Sequence, residues 1–145
     1  MKYLRILLPG LFLACALAGH ADTALLRDNP MMVTMIINGQ QFDVRLHDNP
    51  AAKAFVNRLP LQLGMSELNG NEKFADLPHE LPSSSVLPGT IQAGDIMLYG
   101  TQTLVLFYAS FKSSYHYTPI GRVINPEKLP IMSNQETIWV EFSNH

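Results

Sequence analysis

The chain has 145 residues and a formal charge of −2, with 47% apolar and 15% charged residues. That composition excludes a disordered polymer, and the length suits one domain with one sizeable core. Lys2 and Arg5 fall within the first 21 residues, so beyond them eight basic residues face twelve acidic ones, a net charge of −4. Such a balance excludes a general nucleic-acid or anionic-membrane surface, which needs clustered Lys and Arg.

The N-terminus reads as a secretory signal over residues 1–21. Lys2 and Arg5 make a short positive region, residues 6–14 are apolar apart from Pro9-Gly10, and small residues follow at Ala16, Ala18, Gly19 and Ala21. Cleavage is expected after Ala21, or else after Ala18. The apolar run is shorter than the about 20 residues a membrane-crossing helix needs, so no stable membrane span is expected once the signal is removed. The destination is then periplasmic or secreted. In the alternative reading Cys15 is the lipidated residue of an anchored lipoprotein, although Phe12-Leu13-Ala14 is a poor version of the preceding box. Cys15 is the single cysteine. The exported chain must therefore be held by its core without disulfides, and Cys-based metal sites and thiol chemistry are excluded.

Residues 22–30 have no clear period and read as a linker; a single domain is expected over 31–142. Residues 31–37 and 41–46 are strand patterns separated by Asn38-Gly39, the strongest short hairpin signal, because both central residues need positive φ. Asn49-Pro50 opens a helix with an N-cap and a first-turn proline, and Ala52, Phe55, Val56 and Leu59 form its apolar stripe before Pro60 stops it. Residues 61–68 read as a strand with Leu61, Leu63 and Met65 on one face. Asn69-Gly70-Asn71 is a turn, 72–76 a short strand, and 77–88, with three prolines and three serines, a long surface loop.

Residues 95–99 and 103–108 are strands joined at Gly100. The second is apolar on both faces, with Leu104, Leu106 and Tyr108 on one and Val105 and Phe107 on the other, so it must be covered on both. Residues 110–118 alternate polar and aromatic and read as loop or edge. A short strand at 120–124 precedes a second helix start at Asn125-Pro126, good for one or two turns to Leu129. The last strand is 136–142, where Ile138, Val140 and Phe142 alternate with Trp139 and Glu141. Ser133 to Glu136 matches a capping box, but a strand pattern follows it, so the match is read as false.

Met65-Ser66-Glu67-Leu68-Asn69-Gly70-Asn71-Glu72-Lys73, Pro88-Gly89-Thr90-Ile91, Ala93-Gly94-Asp95 and Leu98-Tyr99-Gly100 begin a pattern. It continues through Leu104-Val105-Leu106-Phe107-Tyr108, Ser110-Phe111, Ser113-Ser114-Tyr115, Tyr117-Thr118 and Gly121-Arg122. With these residues the sequence resembles the bacterial cyclophilin-like proteins, a family whose biochemical function is not established. The resemblance covers residues 31–142. It implies a mainly β fold: a closed antiparallel cyclophilin-like β-barrel of about eight strands, with one clear helix and one short helix. One face of the 103–108 strand would then look inward and the other would lie beneath a helix. Enzymatic cyclophilins use an Arg in a Phe-His-Arg segment, and this chain has no such segment. Arg122, in Gly-Arg-Val, is similar to a Lys on a late cyclophilin strand, and Arg45 lies on the first hairpin.

Two clusters are candidate sites. Glu67, Asn69, Asn71, Glu72 and Lys73 surround one turn, either as a ligand-contacting rim or as hairpin chemistry with the Glu–Lys pair in water. Tyr99, Tyr108, Phe111, Tyr115, His116 and Tyr117 could bind a flat ring or a prolyl peptide, or simply be core and surface. Phe107 and Tyr108 suit the core; Tyr115 and Tyr117 share a cleft-facing or outward side. The histidines lack metal spacing, the serines lack a nucleophile elbow, and no phosphate-binding glycine loop is present. The expectation is therefore a binding module for a small molecule or peptide, with no catalytic residues, no metal and no cofactor. Its ligand residues are Glu67, Asn69, Asn71, Tyr99, Tyr115 and Tyr117; the alternative is a divergent peptidyl-prolyl cis-trans isomerase.

Overall fold

The structure, a computed structural model, describes residues 30–145. The signal over 1–21, Cys15 and all but the last residue of the 22–30 linker lie outside them. Strands β1 (Met32–Ile37) and β2 (Gln40–Leu46) form the expected hairpin. Asn38 and Gly39 take φ of +47° and +86°, the twist that suits a two-residue connection. Helix α1 (Pro50–Val56) starts where Asn49 Oδ1 accepts from the Ala52 N–H at 2.8 Å. The same side chain donates through Nδ2 to the Pro119 carbonyl, also at 2.8 Å, which ties the helix start to the strand beneath it. Ala51, Ala52 and Phe55 are buried, and the Phe55 ring meets Phe142 edge-on at 5.2 Å.

The remaining strands are β3 (Leu61–Leu68), β4 (Glu72–Asp76), β5 (Thr90–Ile91), β6 (Asp95–Tyr99), β7 (Thr103–Phe107), β8 (Phe111–Lys112), β9 (Thr118–Val123) and β10 (Thr137–Asn144). Eight of them close into a barrel in the order β1-β10-β3-β4-β7-β6-β9-β2, every neighbour antiparallel; β5 and β8 pair as a separate ribbon. This is the fold class expected from the sequence. Closure follows from alternation: Val33, Met35, Val44, Leu63, Met65, Leu104, Leu106, Ile138, Val140 and Phe142 all face one interior cluster. No helix among the described residues is long and apolar enough to cross a membrane.

Two details differ from expectation. The second helix is a 3-10 helix over Pro126–Asn134, longer than one or two turns. Its three-residue repeat brings Leu129 and Met132 onto one buried face, which a stop at Leu129 would not allow. The second difference concerns the cover over β7. Leu104 and Leu106 point inward, and Val105 and Phe107 point outward, as the pattern predicts. The outer pair lies under no helix. It is covered by Ile91 of the ribbon, Met97 and Tyr117, with Phe74 and Phe111 at the margin. Helix α1 is unavailable for this task because its buried residues belong to the interior cluster.

Candidate functional site

On the outer face, β4, β7 and β6 and the 111–117 segment enclose a cleft of about 510 Å³. The register explains which residues reach it. Glu72 lies opposite Phe107, Phe74 opposite Val105, and Tyr99 opposite Thr103, so all of them share the outward side. Tyr117 comes from the end of the loop before β9, and Phe111 and Lys112 come from the ribbon strand β8. Ile91, fully buried, anchors that ribbon against the barrel wall.

The aromatic side chains form a connected set. Tyr99 meets Tyr115 edge-on at 6.2 Å and Tyr117 at 5.9 Å; Tyr117 in turn meets Phe107 at 5.6 Å and 90°. Tyr117 is a buried wall of the cleft, whereas Tyr99 and Tyr115 stand exposed at its mouth. The loop carrying Tyr115 is fixed by Ser113, whose N–H donates to the Gly89 carbonyl and whose Oγ accepts from the Tyr115 N–H at 3.1 Å. Burial raises the Tyr117 phenol above its ordinary range, a hydrogen bond with Ser113 partly offsets that, and nearby Glu72 adds to it.

Five of the six residues expected to bind ligand line this one cleft: Asn69, Asn71, Tyr99, Tyr115 and Tyr117. Glu67 does not. With Leu63 and Met65 it occupies the inward side of β3, and there it accepts from the Tyr108 hydroxyl, at 2.8 Å for Oε2, and from Lys73 Nζ at 3.1 Å. Lys73 is wholly buried; it also donates to the Gln135 carbonyl, and its ammonium stands 5.4 Å from the Tyr108 ring centre. The Glu–Lys pair is thus an internal polar knot and not a pair in water. Burial, then the hydrogen bond from its hydroxyl to Glu67, push the Tyr108 phenol well up.

The residue missing from the expected set is Glu72. The residue is 8% exposed and lines the cleft. Burial, followed by the charge of Glu67, raises its carboxyl above the ordinary value of 4.5. The signal that could have found it is the alternation through β4: Glu72 and Phe74 share a side, and Lys73 takes the other. Arg45, Arg58 and Arg122 are not among the cleft residues. Arg58 donates to the Glu80 carbonyl, and Arg122 donates to Gln92 beside Asp95. Among the described residues, no group of three or more His, Cys, Asp or Glu is placed to hold a metal ion.

Comparison with known proteins gives a family and a fold. The sequence pattern of the cyclophilin-like family matches residues 35–143. No curated protein matches the chain. Among solved structures, McbB in complex with tryptophan is similar at a TM-score of 0.59 and 11% identity, over 77% of this chain and 44% of that one. The chain therefore spans less than half the length of McbB. The solution structure of the hypothetical protein AF2241 from Archaeoglobus fulgidus is similar at a TM-score of 0.54 and 15% identity, over 80% of this chain and 95% of that one. At these identities the likeness is one of fold.

Proposed function

Because the chain belongs to the cyclophilin-like family, and its barrel bears an aromatic cleft on one face, we propose that it is a non-catalytic binding module for a small planar ligand or a short peptide. The observation that carries this reading is the cleft itself. About 510 Å³ is within the range of small-ligand sites, and its walls are aromatic with a few placed polar groups from Asn69, Asn71 and Glu72. The similar McbB barrel, solved with tryptophan, supports a planar ligand. A divergent isomerase is less well supported, since an arginine that stabilises a twisted amide should stand at the cleft. Isomerisation of a proline peptide that disappears in Arg45→Ala or Arg122→Ala would replace the binding reading with the enzymatic one.

The direct test is a titration with indole and with a short proline peptide, followed by amide chemical shifts. At least one of the two should shift the amides of Asn69, Tyr99, Lys112 and Tyr115. Tyr115→Ala should weaken that binding roughly 3- to 10-fold, the worth of one aromatic contact. Shifts confined to another face, or none at millimolar ligand, would refute it.

The same reading places the domain outside the cytoplasm, periplasmic or secreted, supported by the charged, apolar and small-residue segments of 1–21. The N-terminal residue of the exported protein, by mass spectrometry, should be the one after Ala21 or Ala18. A lipid on Cys15 would instead make it an anchored lipoprotein.

A further inference from the structure

The cleft contains a carboxyl group that the fold leaves without a counter-charge. Glu72 is 8% exposed and lines the cleft, and among the described residues no cation lies within ion-pair distance of it. The neighbouring lysine in sequence, Lys73, projects from the opposite side of β4 and is engaged by Glu67 and the Gln135 carbonyl. Next to Glu72 in the chain, Asn71 Oδ1 is buried and accepts no hydrogen bond. Asn71 lines the same cleft. Glu72, without a counter-charge, and Asn71, with a buried acceptor left unmatched, thus line one cleft, an unfavourable arrangement for both. The Glu72 carboxyl suits a donor that arrives with a ligand. The rest of the lining includes the rings of Phe74, Tyr99, Phe111, Tyr115 and Tyr117, whose faces attract cations and stack on flat rings, and Lys112, which makes no ion pair with Glu72.

We propose that the cleft selects a planar aromatic ring bearing a protonated amine, with the ammonium at Glu72 and the ring against Tyr99 and Tyr115. This rests on the binding reading of the same cleft and adds the charge of the ligand to it. An arriving ammonium would supply the counter-charge that Glu72 lacks.

Three indoles that differ only in their side group decide the matter by calorimetry: tryptamine, indole and indole-3-acetate. Tryptamine should bind roughly 10- to 100-fold tighter than indole, the worth of a charge-assisted hydrogen bond, and indole-3-acetate should bind most weakly. Glu72→Gln should remove the advantage of tryptamine, read as the ratio of tryptamine to indole affinity in the same variant. Equal binding of tryptamine and indole would overturn the inference and leave the binding module standing, as would a tryptamine advantage that survives in Glu72→Gln. Failure of all three to bind would overturn the inference, and the binding module falls with it only if the proline peptide also leaves the cleft amides unshifted. The ranking of the three ligands on the unaltered protein is informative even if the variant folds poorly.

Discussion

Lys73 and Glu72 are adjacent in sequence and opposite in circumstance. The Lys73 ammonium is inside the barrel with a carboxylate, a carbonyl and a ring around it; the Glu72 carboxyl faces the cleft. The buried pair should respond asymmetrically to mutation. Glu67→Ala strands a wholly buried ammonium and should lower stability by about 3–5 kcal/mol. Lys73→Met leaves a partly exposed carboxylate that still accepts from the Tyr108 hydroxyl, and should lower it by only about 1–2 kcal/mol. Urea unfolding measures both, and the reverse order would contradict the burial of Lys73. Glu72 gives a pH signature. Its folded pKa lies above 4.5, so the folded chain holds that proton more tightly than the unfolded chain. The stability this contributes is complete below 4.5 and is lost as pH rises through the folded value. Glu72→Gln should thus raise the thermal midpoint at neutral pH relative to the unaltered protein and flatten the pH profile. Parallel profiles across the range would show that the carboxyl is not desolvated.

Among the elements, the ribbon of β5 and β8 matters most for the cleft. Each strand is two residues long, and neither could stand without the apolar patch under it. That patch of Ile91, Met97, Val105, Phe107 and Tyr117 is distinct from the barrel interior. The two clusters should therefore fail separately. Ile91→Ala should cost about 2–4 kcal/mol locally and speed amide exchange at Ser113 and Val86, which donate to the Gly89 and Tyr117 carbonyls within the outer loops, more than at Met35 or Val140. Leu106→Ala should speed exchange across the whole barrel. Uniform acceleration in both variants would show one cooperative unit and no independently mobile wall. Asn49 is a further economy of parts: one side chain both caps α1 and fastens it to β9.

At the level of the whole molecule, closure removes every strand edge of the main sheet. β10 carries that closure, because it is paired on one side with β1 and on the other with β3. Deleting residues 136–145 would open both edges and strip Ile138, Val140 and Phe142 from the core. The truncated chain should elute as aggregate and lose its cooperative melt; a monomer with a sharp transition would show that the remaining strands close without β10.

Much of this was legible in the residues themselves. Asn38-Gly39 sets its hairpin by local sterics, Asn49-Pro50 starts its helix by local hydrogen bonding, and the double-sided β7 announces a covered sheet through a period of two. The same period, carried on from Leu63 and Met65, assigns Glu67 to the interior; grouping it with the nearby turn residues hid that. What remained illegible depends on partners distant in the chain. Nothing near Lys73 indicates that Gln135 will close over it, and nothing near Glu72 indicates that Phe111, Tyr115 and Tyr117 will line one cleft with it. Alternation assigns each side chain to one of two faces of a strand. Only the closed barrel and its outer ribbon make one face the core and the other a cleft, because burial is a property of what packs above a residue.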